Sequence, residues 1–343
     1  MLSSPSLVVA DSAASHDKEP CMSNRFSNPL PGVPNIENPF FDSIFADLDA
    51  GPEIMRAARD LRTRGYAVID FPDPDIGAMA DRIAARLHAR YDWNRWRAGD
   101  SAFSTRIIDA WTFDADVKRI AANPDVIGLL QVLYGRKAFP FQTLNFCVGS
   151  QQHVHSDCVH FSANPERFMC GVWVALEDTD EDNGPLIYYP GSHAWPIYTN
   201  EHVGVKAASL GDTYEAYPRY EAMWRSLIAY KDVKPERFYA RKGQALIWTA
   251  NLLHGGDAHR DKARTRWSQV THYYFEGCAY YTPLTSDPYD GRIALREPMD
   301  IASGAIMKNA ANGPPVPGAA KSSGGFLARL RRRLPKSPAI RPK

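Results

Sequence analysis

The sequence predicts a mainly β protein, an antiparallel barrel or two-sheet jelly roll behind a helical preamble, and three observations lead there. Across residues 138–285, short runs rich in aromatic and β-branched residues (FMCGVWVALE, GPLIYYP, GQALIW, WSQVTHYYF) alternate with turn-rich segments such as DTDEDNG and PGSH. Upstream, apolar residues recur at helical rather than alternating spacing. A hydrophobic fraction of 44% over 343 residues supplies a core for one large domain.

In chain order, residues 1–40 are rich in Ser, Pro and Asn without period and read as a disordered or draped arm; Met22 is an alternative start. One domain is expected over 41–297, with its preamble over 41–137. There PEIMRAARDLRTRG places Ile54, Ala57 and Leu61 on one helical face, ends at Gly65 and runs into the strand-like YAVIDF. A second helix is expected from about Asp75 to Tyr91, and a third helical stretch is broken near Asn123-Pro124 and closed by Gly135. The β core over 138–285 carries an insertion, 199–241, whose helical sections include Tyr217, Arg219, Tyr220, Trp224 and Arg225. These residues read either as a solvated lid or as a pocket for an acid- or phosphate-bearing substrate. Residues 298–343 read as a disordered linker and basic tail. The tail is either simply solvated or a short amphipathic segment (Phe326, Leu327, Leu330, Leu334) for weak contact with anionic lipid or a protein partner.

Composition narrows the function. Lys+Arg 40 against Asp+Glu 39 leaves a formal charge of +1, which gives no electrostatic case for nucleic acid as a partner. Five dispersed cysteines without a C-x-x-C pair argue against a disulfide framework and a structural zinc site, and fit a cytoplasmic setting. No apolar run reaches the length of a membrane span.

The chemistry centres on FQTLNFCVGSQQHVHSDCVHF, residues 141–161, which reads as two strands joined by a Gly-Ser turn. Alternation in the second strand gives His153, His155 and Asp157 a common face. His254, after the strand-like ALIW and before Gly255-Gly256, is the candidate third ligand. Two histidines and a carboxylate on one side of a metal, with the other side open, is the arrangement of non-haem Fe(II) oxygenases. The plainer reading of the His-x-Asp pair alone is a polar strand end.

Four blocks in order, LNFCVGSQQHVHSD, GVWVALEDTDEDNGPLIYYPGSH, NLLHGG and RTRWSQVTHYYF, resemble the phytanoyl-CoA dioxygenase family of Fe(II)/2-oxoglutarate oxygenases over about residues 60–285. The resemblance implies a double-stranded β-helix (cupin-like), Fe(II) held by His155, Asp157 and His254, 2-oxoglutarate as cosubstrate, and O2. It also implies an arginine that pairs with the far carboxylate of 2-oxoglutarate. Arg264 and Arg266 both qualify; the strand register favours Arg266, and their spacing would put them on one face. Gln142, Asn145, Gln152 and Trp173 fall where the family contacts its cosubstrate, against the alternative of ordinary strand bonding and core packing. His153 and His160 are candidate substrate contacts, and His193 reads as structural. Where the family often has Ser or Thr, two residues after the distal histidine, this chain has Gly256; Thr265, Thr143 or a backbone amide are candidate replacements. An aspartate at 157 points away from halogenation, because related halogenases carry a small residue there. The expected reaction is hydroxylation of an aliphatic C–H in a small-molecule or acyl substrate. The alternatives are a jelly-roll isomerase or epimerase holding Zn or Mn, and a non-catalytic binding module.

Overall fold

Two β-sheets face each other across the site, and helices cover the outer side of the larger one. The structure is a computed structural model that describes residues 26–205, 213–288 and 290–310. The helices of the preamble are α1 (Phe41–Asp47), α2 (Pro52–Arg64), α3 (Ile76–His88), α4 (Trp93–Ala98), α5 (Ala115–Ala121) and α6 (Pro124–Tyr134); α7 (Thr213–Lys231) lies in the insertion. The strands are β1 (Tyr66–Asp70), β2 (Arg106–Ile108), β3 (Ala138–Phe146), β4 (Ser162–Asn164), β5 (Met169–Ala175), β6 (Leu186–Tyr188), β7 (Glu236–Phe238), β8 (Gln244–Thr249), β9 (His254–Gly256), β10 (Ser268–Phe275) and β11 (Ala279–Tyr281).

The larger sheet has six strands in the order β1-β8-β5-β10-β3-β2, the smaller has three in the order β7-β6-β9, and β4 pairs with β11. Every pairing is antiparallel. This is the double-stranded β-helix. Alternation along the strands divides the core in two. Val172, Val174, Ile247 and Tyr273 face the helices and pack with Ile83 and Leu130. Trp173, Leu246 and Val270 face inward and pack with Leu186 and Phe238 of the smaller sheet.

Local signals set the helix ends. Gly65 and Gly135 take φ of +85° and +76° just past α2 and α6, a region glycine enters without a Cβ penalty. The Asn123 side chain accepts from the amides of Asp125 and Val126 and starts α6 at Pro124.

Three expectations change. Residues 26–40 are pinned rather than loose: Asn35 Nδ2 donates to the Val132 carbonyl, and Arg62 donates to the carbonyls of Ile36 and Asn38. Residues 298–310 also pack on the barrel, with Ile301 buried and its amide donating to the Pro140 carbonyl. The second strand expected around His153–Asp157 does not form. His155 makes a single bridge to His254, and at Asp157 the chain turns into a 3-10 helix, Asp157–Val159, capped by the Ser156 hydroxyl. Residues 1–25 and the amphipathic tail lie outside the described residues. Among the described residues, no helix is long and apolar enough to cross a membrane.

Candidate metal centre

The smaller sheet supplies the distal histidine and a reciprocal backbone pair supplies the proximal one. The His155 amide donates to the His254 carbonyl at 2.9 Å, and the His254 amide donates back at 3.0 Å. The 3-10 turn then points Asp157 at both rings. Its Oδ1 lies 3.8 Å from His155 Nε2 and 3.9 Å from His254 Nε2. One ligand atom from each of these buried residues falls within 4.8 Å of the others.

The hydrogen bonds behind the rings fix their tautomers. His155 Nδ1–H donates to the His153 carbonyl at 2.9 Å, and His254 Nδ1–H donates to the Leu252 carbonyl at 3.0 Å. Each Nε2 is thereby left as a lone pair facing Asp157. Burial drives His155 below its usual range and keeps it neutral. Burial opposes ionisation of Asp157, but the imidazoles of His254, His272 and His155, with the Trp248 N–H, outweigh it and hold the carboxyl below its ordinary range. Two imidazoles and a carboxylate, open on one side to a cavity of 460 Å³, form a donor set that suits ferrous iron.

Sequence reasoning missed two residues here. Trp248 Nε1–H donates to Asp157 Oδ2 at 2.8 Å, so one carboxylate oxygen is taken and the other faces the histidines. His272 Nε2 lies 3.8 Å from the same Oδ2, and its Nδ1–H donates to Gln142 Oε1 at 3.1 Å. The signal was a glycine inside a strand. Gly171 pairs with both Trp248 and His272, and a Cβ there would stand 2.1 Å from the Trp248 ring.

Arg266 is 2% exposed and lines the cavity beside Phe146 and Trp173. It donates through Nε to the Gly184 carbonyl and through Nη1 to Ser268 Oγ, and among the described residues it has no carboxylate within ion-pair distance. Burial pushes its pKa down to about 10. A buried guanidinium without a protein anion is costly, and its planar fork matches a carboxylate in geometry. The Trp173 indole N–H, also buried, lacks a partner among the described residues. Arg264, by contrast, sits before β10 and forms a bidentate surface pair with Asp180. The two arginines do not share a face, because that segment is not yet a strand.

Gln142, Gln152 and His160 line the cavity. Asn145 does not: on β3 it alternates with Gln142 and Leu144, so its side chain turns to the helical side and donates to Gln269 Oε1. His153 is exposed, and its contribution is a carbonyl rather than a ring. His193 is structural, with Nε2–H donating to the Arg62 carbonyl. Neither threonine replaces the missing family hydroxyl. Thr143 is on the outer face of β3, and Thr265 donates to Glu177. At Gly256 a Cβ would stand 2.5 Å from Ser150 Oγ, so the cavity-lining Ser150 fills that space. Among the described residues of the insertion, only Tyr217 lines the cavity; Arg219 bonds the Gly204 carbonyl and Arg225 faces Glu221.

A family model described as phytanoyl-CoA dioxygenase (PhyH) matches residues 71–266, more than half of the chain. Peroxisomal phytanoyl-CoA dioxygenase of Rattus norvegicus is 24% identical over 136 residues, 38% of this chain and 36% of that one. Phytanoyl-CoA dioxygenase domain-containing protein 1 of Danio rerio is 29% identical over 121 residues, 34% of this chain and 36% of that one. The similarity thus spans about a third of these relatives' length. Among solved structures, the non-heme α-ketoglutarate-dependent carbocyclase SnoK of nogalamycin biosynthesis superposes with a TM-score of 0.54 at 16% identity, covering 76% of this chain and 95% of that one. The epimerase SnoN of the same biosynthesis gives 0.51 at 19% identity, covering 77% and 93%. At such identities the likeness is one of fold. The family model supplies the rest, and it places this chain in the phytanoyl-CoA dioxygenase family.

Proposed function

We propose that the protein is an Fe(II)- and 2-oxoglutarate-dependent dioxygenase that hydroxylates an aliphatic C–H of a small-molecule or acyl substrate. The observation that carries this reading is the pairing, in one cavity, of the His155–Asp157–His254 donor set with the buried, carboxylate-free guanidinium of Arg266. A metal-binding isomerase that works without 2-oxoglutarate needs the first and has no use for the second. Ferrous iron with 2-oxoglutarate, when bound, supplies the oxidising power for C–H hydroxylation and leaves succinate and carbon dioxide.

The chain's own residues do the rest. His155, Asp157 and His254 hold the metal, and Trp248 fixes which oxygen of Asp157 faces it. Arg266 receives the far carboxylate of 2-oxoglutarate, with the Trp173 N–H as a further donor. Aromatic walls, among them Phe146, Phe161 and Trp173, keep water from the reacting centre. The test is anaerobic addition of Fe(II) and 2-oxoglutarate, read by the charge-transfer absorption of their complex, followed by oxygen-dependent succinate formation. Asp157→Ala should abolish both. Succinate formation surviving in that variant would remove the proposal, and metal binding without any response to 2-oxoglutarate would favour the isomerase class.

A further inference from the structure

Two guanidiniums line the cavity besides Arg266, and the mechanism above uses neither. Arg106 comes from β2 in the preamble; Arg296 comes from the segment after β11, beyond the part of the chain that the family model matches. The register of β2 on β3 pairs Arg106 with Phe146 and Ile108 with Leu144, so both β2 side chains share the inward face of those two cavity residues. Arg296 is half-buried. Its guanidinium lies 4.8 Å above the Phe161 ring, and its Nη1 donates to Thr282 Oγ1 at 3.0 Å. Phe161 in turn lies 5.0 Å from the His272 ring, which faces Asp157. A single aromatic ring therefore separates Arg296 from the group beside the metal ligand.

Among the described residues, no carboxylate stands within ion-pair distance of either arginine, in contrast to Arg82, Arg86 and Arg119, which all have aspartates. Arg266 is set apart by its burial: it is 2% exposed between Phe146 and Trp173, whereas Arg106 is exposed and Arg296 half-buried. Exposed Ile108 and buried Leu284 add apolar wall to the same cavity.

We infer that the substrate carries an oxyanion, a carboxylate or a phosphate, which Arg106 and Arg296 receive while its apolar body extends toward the metal. This assignment rests on the dioxygenase reading, because it takes Arg266 as the receptor of 2-oxoglutarate. The cavity is in the lower part of the usual range of ligand pockets, roughly 300–1,000 Å³, and 2-oxoglutarate takes part of it. The portion of substrate enclosed near the metal is accordingly small. Lysine would serve less well than arginine at both positions, since a planar fork meets an oxyanion with two parallel hydrogen bonds.

The experiment uses the full chain with Fe(II) and saturating 2-oxoglutarate under anaerobic conditions. Straight-chain carboxylates of short and medium length, the matching alkyl phosphates and the matching neutral amides are titrated in turn, and perturbation of the charge-transfer band reports binding beside the metal. The oxyanions should bind at least about tenfold more tightly than the amides, and whichever oxyanion series binds better identifies the head group. Arg106→Gln with Arg296→Gln should erase that preference without altering the affinity for 2-oxoglutarate; restoring arginine at 296 alone should return part of it. Equal binding of acids and amides, no binding of either oxyanion series, or a preference that survives the double substitution would overturn the inference. If the band does not form in the wild-type protein, the dioxygenase reading fails instead. The oxyanion preference is then read by calorimetry with the same ligand series.

Discussion

Trp248 occupies a position in β8 that reads as core packing, yet its N–H holds the Asp157 oxygen turned away from the two histidines. Replacing it with Phe keeps most of the ring and removes the hydrogen bond. Loss of such a support commonly weakens a metal site by about ten- to a hundredfold, so Trp248→Phe should raise the Fe(II) dissociation constant by that order in an anaerobic titration. Unchanged affinity would show that packing alone positions the carboxylate. The two arginines before β10 make the opposite comparison. Arg266→Ala should raise the 2-oxoglutarate requirement roughly ten- to a hundredfold, the value of charge-assisted hydrogen bonds in a buried site. Arg264→Ala removes only a surface pair with Asp180, worth about 0–1 kcal/mol, and should leave that requirement unchanged. The reverse result would exchange their roles.

At the scale of elements, the helices were legible because their signals are local. Asn123 caps α6 through the amides of Asp125 and Val126, Pro124 takes the first turn, and Gly135 ends it. Asn123→Ala should cost about 1 kcal/mol of stability while leaving Fe(II) and 2-oxoglutarate binding intact, as checked by thermal melts alongside the charge-transfer titration. A loss of cofactor binding would mean that α6 communicates with the site. The stretch from Cys147 to Asp157 was not legible, because its shape is set by a distant partner. Gly255 and Gly256 let that loop approach β9 so closely that a Cβ on either would stand within 3.0 Å of its atoms, and the two segments share a single bridge, His155 to His254. Alternation in the sequence looked like a strand, and the Ser156 cap turned it into a 3-10 helix.

For the whole molecule, buried histidines away from the metal give an acid-sensitive fold. Burial lowers the pKa of both His193 and His259. His259 Nδ1 accepts from the Gly149 amide, a bond that protonation would break. The unfolded chain takes up a proton on each as pH falls through about 6.5, while the folded chain resists, so the unfolded state is favoured progressively below that pH. The melting temperature should therefore fall between about pH 7 and pH 5.5, and fall less in His259→Asn, which keeps an acceptor for Gly149. An equal fall in the two proteins would assign the acid sensitivity elsewhere.

The sequence by itself determined the main helices α2, α3 and α6 and the long strands of the barrel, the residue types of the donor set, and the presence of a guanidinium in the segment leading into the last long strand. Those follow from periodicity, capping residues and chain order, which are properties of neighbours. The tertiary structure decided which arginine is buried, that Gln142 and not Asn145 faces the cavity, that Trp248 and His272 surround Asp157, and that Arg106 and Arg296, far apart in the chain, line one cavity. The reason is physical: alternation says which side chains share a face of a sheet, but only the packing of one sheet against another says which face is the inside.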